Sequence, residues 1–121
     1  MAVNPHVILS LAHLLFIVPG LLYVGFMRAA NPLWVYWFLG ALGIVLALYH
    51  GYKAIAKWFA GSPSFWVNAI HVFLLAPLFI YIAVLRRETP RGAYELMLLA
   101  GFSALGYHIY NLAMNLEARD D

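Results

Sequence analysis

Hydrophobic residues fill four long segments of the chain, and most charged residues lie in the short stretches between or after them. The predicted segments are 5–27, 32–59, 63–85 and 91–116. Each is long enough to cross a hydrocarbon core of about 30 Å, which takes about 20 helical residues. Three of them begin with a proline, at a position where a helix does not need the missing N–H. The pattern therefore predicts four transmembrane helices.

Composition supports a lipid environment. Of the 121 residues, 65% are hydrophobic and 10% are charged, whereas soluble domains carry about 25% charged residues. The net charge of +2 is too small to indicate a nucleic-acid partner, so we expect the bilayer to be the main partner. A redox partner protein and self-association both remain open. The absence of cysteine excludes disulfides and thiolate ligands.

The chain also repeats itself without a gap, at a shift of 58 residues, which is the separation of Pro5 and Pro63. All six prolines and four of the five histidines pair at this shift. The pairs are Pro5/Pro63, Pro19/Pro77, Pro32/Pro90, His13/His71 and His50/His108. A fixed internal period indicates repeated structural units. We therefore predict a tandem duplication of a two-helix hairpin, with halves 1–60 and 61–121.

The repeat predicts an architecture. A two-span hairpin returns the chain to its starting side, so both hairpins have the same orientation. Such parallel repeats are related by a pseudo-twofold axis along the membrane normal. The fold class is therefore an all-α membrane protein whose two hairpins form one four-helix bundle.

Basic residues suggest how this bundle is oriented. The turns within the hairpins carry Arg28, Arg86, Arg87 and Arg91, and the other ends of the helices carry Lys53, Lys57 and Arg119. The positive-inside rule then favours cytoplasmic arginine turns, with both termini on the opposite side of a plasma or inner membrane.

The paired histidines are expected at one depth. His13 lies eight residues into the first predicted helix and His50 nine residues before the end of the second, so each is about 12–13 Å from the same face. In the half of the bundle next to that face, most polar residues lie on one stripe per helix, at helical spacing. The stripes are His6/Ser10/His13, His50/Lys53/Lys57, Ser64/Asn68/His71 and His108/Asn111/Asn115. Because polar residues in a membrane usually face the protein interior, we expect a funnel with four histidines at its floor.

The first functional hypothesis is a b-type haem used in electron transfer. Two histidines from equivalent helices of a bundle can supply both axial ligands, and His50 and His108 are the preferred pair. Gly43 and Gly101 would leave space for the porphyrin, or would instead allow close helix packing. Lys53 and Asn111 would hold the propionates. His13 and His71 would surround the ligands or exchange roles with them.

Two other readings stay open. His13, His50, His71 and His108 could bind a Cu, Zn or Fe ion, because imidazole suits these metals. The same residues could also form a structural cluster in a pH-responsive or proton-linked protein. The sequence offers no nucleophile, base and acid at one depth, so we expect no hydrolytic or covalent enzyme. A membrane oxidoreductase is the one enzyme class left open.

Pro19 and Pro77 lie six residues after His13 and His71, in the middle of their helices. An interior proline cannot donate to the carbonyl four residues before it. We therefore expect a matched pair of kinks, which would make room at the histidines.

Overall fold

Four long helices make up the protein. The computed structural model describes residues 4–120, and the side chains of residues 4–116. The helices are Pro5–Ala30, Leu33–Ala60, Phe65–Glu88 and Arg91–Asp120, and the described residues contain no strand. All four are long and apolar enough to cross a membrane, which confirms the predicted spans and indicates an integral membrane protein. The side chain of Arg119, used in the orientation prediction, lies outside the described residues.

Most of the helix surface is apolar and uncovered. Only 17–28% of the most apolar window of each helix is buried. Phe16 and Phe73, for example, are 75% and 77% exposed. Soluble proteins rarely expose such large continuous apolar surfaces, so this surface fits a lipid solvent.

Local chemistry fixes the helix ends. The Asn4 side chain accepts a hydrogen bond from the His6 amide and caps the first helix. The second helix ends at Gly61, whose φ of 67° is left-handed, and the Ser62 amide then donates to the Lys57 carbonyl. This is the usual way for a glycine to terminate a helix. Pro63 lies in the turn that follows, so the third helix begins later than predicted, at Phe65.

The first and third helices each contain a π-helical turn. These turns are His13–Ile17 and His71–Leu75. Each encloses the carbonyl that Pro19 or Pro77 cannot bond, four residues before the proline. A π turn re-bonds the backbone from residue i to i+5, so the backbone adjusts here by a wider turn. Both turns begin at a histidine.

The same two helices end in short 3₁₀ turns, Arg28–Ala30 and Arg86–Glu88. The first residue of each turn has a positive φ, 50° for Arg28 and 53° for Arg86. Side chains hold both turns. Asn31 Nδ2 and Tyr36 Oη donate to the Arg28 carbonyl, and Thr89 Oγ1 donates to the Arg86 carbonyl.

The chain divides into two compact units. The first unit is Met1–Met27 with Tyr94–Asp121, and the second is Arg28–Ala93. The first unit thus pairs the first and fourth helices, and the second unit pairs the second and third. Each unit therefore combines one helix from the predicted half 1–60 with one helix from the predicted half 61–121. The unit boundaries do not test the duplication, so the two halves remain a prediction.

Each unit has its own buried residues. In the first unit these include Val18, Leu21, Val24 and Met97, and in the second unit they include Val35, Leu39, Phe79 and Ile82. Glycines let the paired helices approach closely in both units. A Cβ on Gly25 would lie 2.6 Å from the Leu98 side chain, and one on Gly43 would lie 2.8 Å from Ile80.

Candidate functional site

In the second unit, two imidazole rings lie face to face. His50 comes from the second helix and His71 from the third. Their ring centroids are 4.1 Å apart and their planes are inclined by 16°. The rings are therefore in contact across the helix pair.

Both rings of this pair are held at Nδ1. His71 Nδ1 lies 2.6 Å from the Val67 carbonyl oxygen, and His50 Nδ1 lies 2.8 Å from Asn68 Oδ1. Since a carbonyl oxygen can only accept, the Nδ1 of His71 must donate, and that of His50 donates to the amide oxygen. In the neutral ring the lone pair is then on Nε2. This is the form in which imidazole binds a metal.

Asn68 is the most buried polar group beside the pair. Its side chain is 3% exposed, and its Nδ2 has no hydrogen-bond partner among the described residues. A buried amide without a partner costs free energy. The second unit therefore holds an unused N–H donor one hydrogen bond away from His50.

The first unit contains a second stacked pair. His13 lies on the first helix and His108 on the fourth, with ring centroids 4.4 Å apart and planes inclined by 25°. His13 Nδ1 donates to the Leu9 carbonyl oxygen at 2.8 Å, and His108 Nδ1 lies 3.3 Å from Ser10 Oγ. Ser10 and His108 are both buried.

The two pairs have the same plan. In each unit, one histidine begins a π turn and bonds the carbonyl four residues before it. The other histidine comes from the partner helix and bonds a buried polar side chain on the π-turn helix. That side chain is Ser10 in one unit and Asn68 in the other. These residues correspond at the repeat shift, and they are the main chemical difference between the two pairs.

The structure places the predicted histidines in these two pairs. The proposed ligand pair, His50 and His108, takes one residue from each unit and stays a prediction. Among the residues whose side chains are described, no group of three histidines, cysteines or acids is close enough to hold a metal ion. Each pair by itself is thus a two-nitrogen donor set.

The glycines predicted beside the site lie against neighbouring helices. A Cβ on Gly43 would lie 3.2 Å from the Ala76 carbonyl oxygen, and one on Gly101 would lie 2.7 Å from the Leu22 side chain. Close packing thus occupies the space beside both glycines. In contrast, a Cβ on Gly51 or Gly106 would meet nothing within 4 Å. Gly106 is exposed and Gly51 lines a groove on the surface of its helix pair, so the space beside these two residues is at the surface of the helices.

The two residues predicted to hold propionates have other contacts. Lys53 Nζ lies over the Tyr49 ring, 5.4 Å from its centroid. The Asn111 carbonyl accepts a hydrogen bond from Asn115 Nδ2, and Asn115 Oδ1 accepts one from Asn4 Nδ2. Neither contact involves a histidine ring.

Helical periodicity placed Ser10 and Asn68 on the same helix faces as His13 and His71. It did not predict that they would hydrogen-bond to His108 and His50 of the partner helices. The position of the two π turns had a sequence signal: Pro19 and Pro77 each lie six residues after a histidine, and each π turn lies between the two. A π turn is one way in which a helix accommodates a missing N–H, and the spacing of proline and histidine alone does not predict it.

Comparison with known proteins does not supply a relative. No protein-family model, curated protein or solved structure matches the chain.

Proposed function

We propose that this integral membrane protein binds a redox cofactor at its histidine pairs, with b-type haem and electron transfer as the leading function. The observation that carries the proposal is the anchoring of the rings at Nδ1. Histidines that bind metals usually donate their other N–H to a carbonyl or another fixed acceptor, which orients the ring. His13, His50 and His71 are held in this way.

The number of donors favours haem over a bare ion. Each pair offers two imidazoles, which is the number of axial ligands in a six-coordinate haem. A structural zinc site takes four protein ligands, and the described residues bring no third histidine, cysteine or acidic residue to either pair. A Cu or Fe ion completed by ligands from outside the protein is the nearest alternative.

Within each unit, the pairs His13/His108 and His50/His71 would hold the iron through their Nε2 atoms. The haem would supply one-electron chemistry. The protein would orient the ligands through the Leu9 and Val67 carbonyls and through Asn68. The stacked rings would have to separate to admit a cofactor.

A tandem duplication is part of this proposal. It is supported by the matched positions of the two π turns, at His13 and His71, and of the two positive-φ arginines, Arg28 and Arg86. A duplicated hairpin would carry one copy of each feature to each half, and would thereby produce two equivalent histidine pairs. The parallel orientation of the repeats, and arginine turns on the cytoplasmic side, complete the proposed arrangement.

The stacking of the rings favours a second candidate, in which the pairs have a structural or proton-linked role. Rings at 4.1 and 4.4 Å already contact each other, and their Nδ1 atoms are bonded. Such pairs would join two helices inside a membrane without any cofactor. Histidine also changes charge near neutral pH, which would let the pairs respond to protons.

An absorption spectrum of the detergent-purified protein, as isolated and after dithionite, separates these candidates. Haem gives a Soret band, with sharp α and β bands on reduction. A featureless visible spectrum after expression with added haem precursor would contradict haem binding. Metal analysis of the same sample then distinguishes a bound Cu, Zn or Fe ion from cofactor-free histidine pairs.

A further inference from the structure

A groove runs along the surface of the second unit, away from the histidine pair. It has a volume of about 510 Å³. Its lining comes from the second and third helices: Tyr36, Trp37, Gly40, Ile44, Ile80, Ala83, Val84 and Arg86. Seven of these eight residues are uncharged, and the only charged one, Arg86, stands at the end of the third helix.

The floor of the groove is formed by two small residues. A Cβ on Gly40 would lie 3.2 Å from the Ala83 Cβ, so the two helices approach closely there. Larger side chains stand on either side and remain open to the surroundings. Trp37, Ile44 and Val84 are 61%, 56% and 72% exposed. From Arg86 to Ile80 the groove follows about 9 Å of helix, at about 1.5 Å per residue.

The charged end of the groove is held in an unusual backbone conformation. Arg86 has φ 53° and ψ −124°, a region that glycine adopts easily and other residues adopt at a cost. Arg28 has a positive φ of 50°, and its 3₁₀ turn contacts the turn that begins at Arg86. The chain therefore keeps a long cationic side chain at two places where glycine would relieve strain.

We propose that this groove binds an anionic phospholipid of the surrounding bilayer. One acyl chain lies along Ile44, Ile80 and Val84, and the phosphate pairs with Arg86. Basic residues near a membrane surface attract anionic lipids, with an effect of about fivefold in affinity for each residue.

The apolar walls and the single arginine of the groove match the acyl chain and the phosphate of an anionic lipid. The apolar walls lie on a helix pair that is long enough to cross a membrane, so an acyl chain is the neighbour they would meet. The arginine end coincides with the helix ends, where the phosphate groups of a bilayer lie. A second groove on the same helix pair provides a contrast: it is lined by Gly51, Ala54, Ile55, Trp58, Phe59, Phe65, Val72 and Phe73. With no charge in its lining, it has no means to select a head group.

The test uses Trp37, which lines the groove, as a reporter. The other tryptophans are replaced (W34F, W58F, W66F), and the protein is reconstituted in phosphatidylcholine vesicles. A small fraction of lipid with brominated acyl chains is then added, either as phosphatidylglycerol or as phosphatidylcholine. Bromine quenches tryptophan fluorescence on contact. We expect quenching at about fivefold lower concentrations of the anionic lipid.

Three variants of this reporter protein locate the effect. Arg86→Gln should abolish the preference for phosphatidylglycerol, and Arg86→Lys should keep most of it. Arg87→Gln removes the same charge from the neighbouring position, which does not line the groove, and should keep the preference. Ile44→Phe narrows the apolar part and should reduce quenching by both lipids without touching the arginines.

Equal quenching of the parent protein by the two lipids would overturn the proposal. A preference that survives Arg86→Gln would also overturn it. If Arg86→Gln and Arg87→Gln both abolish the preference, the cause is the general charge of the turn, and the groove site is refuted. Folding of Arg86→Gln is checked by its helical circular dichroism. If this variant does not fold, the proposal is tested by the preference of the parent protein for phosphatidylglycerol and by the loss of quenching in Ile44→Phe.

Discussion

His50 and His71 face each other across two helices with their ring centroids 4.1 Å apart, and each ring is fixed at Nδ1 by the third helix. One helix thus positions both members of the pair: His71 through its own backbone, and His50 through the side chain of Asn68. The orientation of His50 is therefore set from outside its own helix. The first unit repeats this relationship with Ser10 and His108, through a longer hydrogen bond of 3.3 Å.

Loss of one histidine should affect one site. We expect His71→Ala to remove the cofactor of the second unit and to lower the haem content per protein by about half, because the proposal gives each unit a histidine pair and a cofactor of its own. The matched variant His13→Ala should have the same effect on the first unit, and the double variant should bind none. The measurement is the haem-to-protein ratio from the reduced absorption spectrum. Full haem content in both single variants would exclude these pairs as ligands.

Removal of the Asn68 amide should destabilise the second unit. In Asn68→Leu the Nδ1–H of His50 loses its acceptor, and an unpaired buried donor costs about 1–3 kcal/mol. Hydrogen bonds between membrane helices average about 0.6 kcal/mol, and the unpartnered Nδ2 is also removed, so we expect a net loss of about 1 kcal/mol. The readout is the free energy of unfolding in detergent.

Ser10→Ala is the matched control for this change. Its bond to His108 is longer, so its loss should cost less than the loss of Asn68. If Ser10→Ala lowers the free energy of unfolding more than Asn68→Leu does, the hydrogen bond between Asn68 and His50 is not the stronger of the two, and the prediction is wrong.

Two glycines of the second helix should respond in opposite ways to alanine. At Gly43 a Cβ meets Ile80 at 2.8 Å and the Ala76 carbonyl oxygen at 3.2 Å, and overpacking of this kind costs about 1–3 kcal/mol. At Gly51 a Cβ meets nothing within 4 Å, so the better helix propensity of alanine should stabilise the helix by about 0.5–1 kcal/mol. Unfolding of the cofactor-free variants measures both changes. Equal effects would contradict the close packing at Gly43.

Glycine at position 28 should stabilise the protein. Arg28 has a φ of 50°, a left-handed conformation that costs a non-glycine residue about 1–2 kcal/mol. Part of the gain is lost because glycine is more flexible when unfolded, so we expect a net gain of about 0.5–1 kcal/mol for Arg28→Gly.

Arg87→Gly is the control for strain, because Arg87 is not among the residues with positive φ. It should destabilise the protein by about 0.5–1 kcal/mol. A loss of stability in Arg28→Gly of the same size would mean that the arginine side chain, and not the backbone, determines stability at that turn.

The sequence predicted the helices well because membrane thickness and helix geometry constrain them directly. A span needs about 20 apolar residues, and the ends at Pro5 and Arg91 were found as predicted. The stretch at Pro63 was assigned to the third helix too early, since a proline can precede a helix as well as begin it. Periodicity also placed Ser10, Asn68 and the histidines on shared faces, because a face depends only on the turn angle of one helix.

What the sequence alone determined is therefore the set of four apolar helices and the polar helix face on which each histidine lies. The tertiary structure decided which histidines stack on each other, that the third helix fills the space beside Gly43, and that π turns accommodate the two prolines. These outcomes depend on the rotation and close approach of two helices, and the periodicity of a single helix contains no information about its partner. The backbone conformation of Arg28 and Arg86 was decided in the same way, by side-chain hydrogen bonds from Asn31, Tyr36 and Thr89 that form only once the turns are folded.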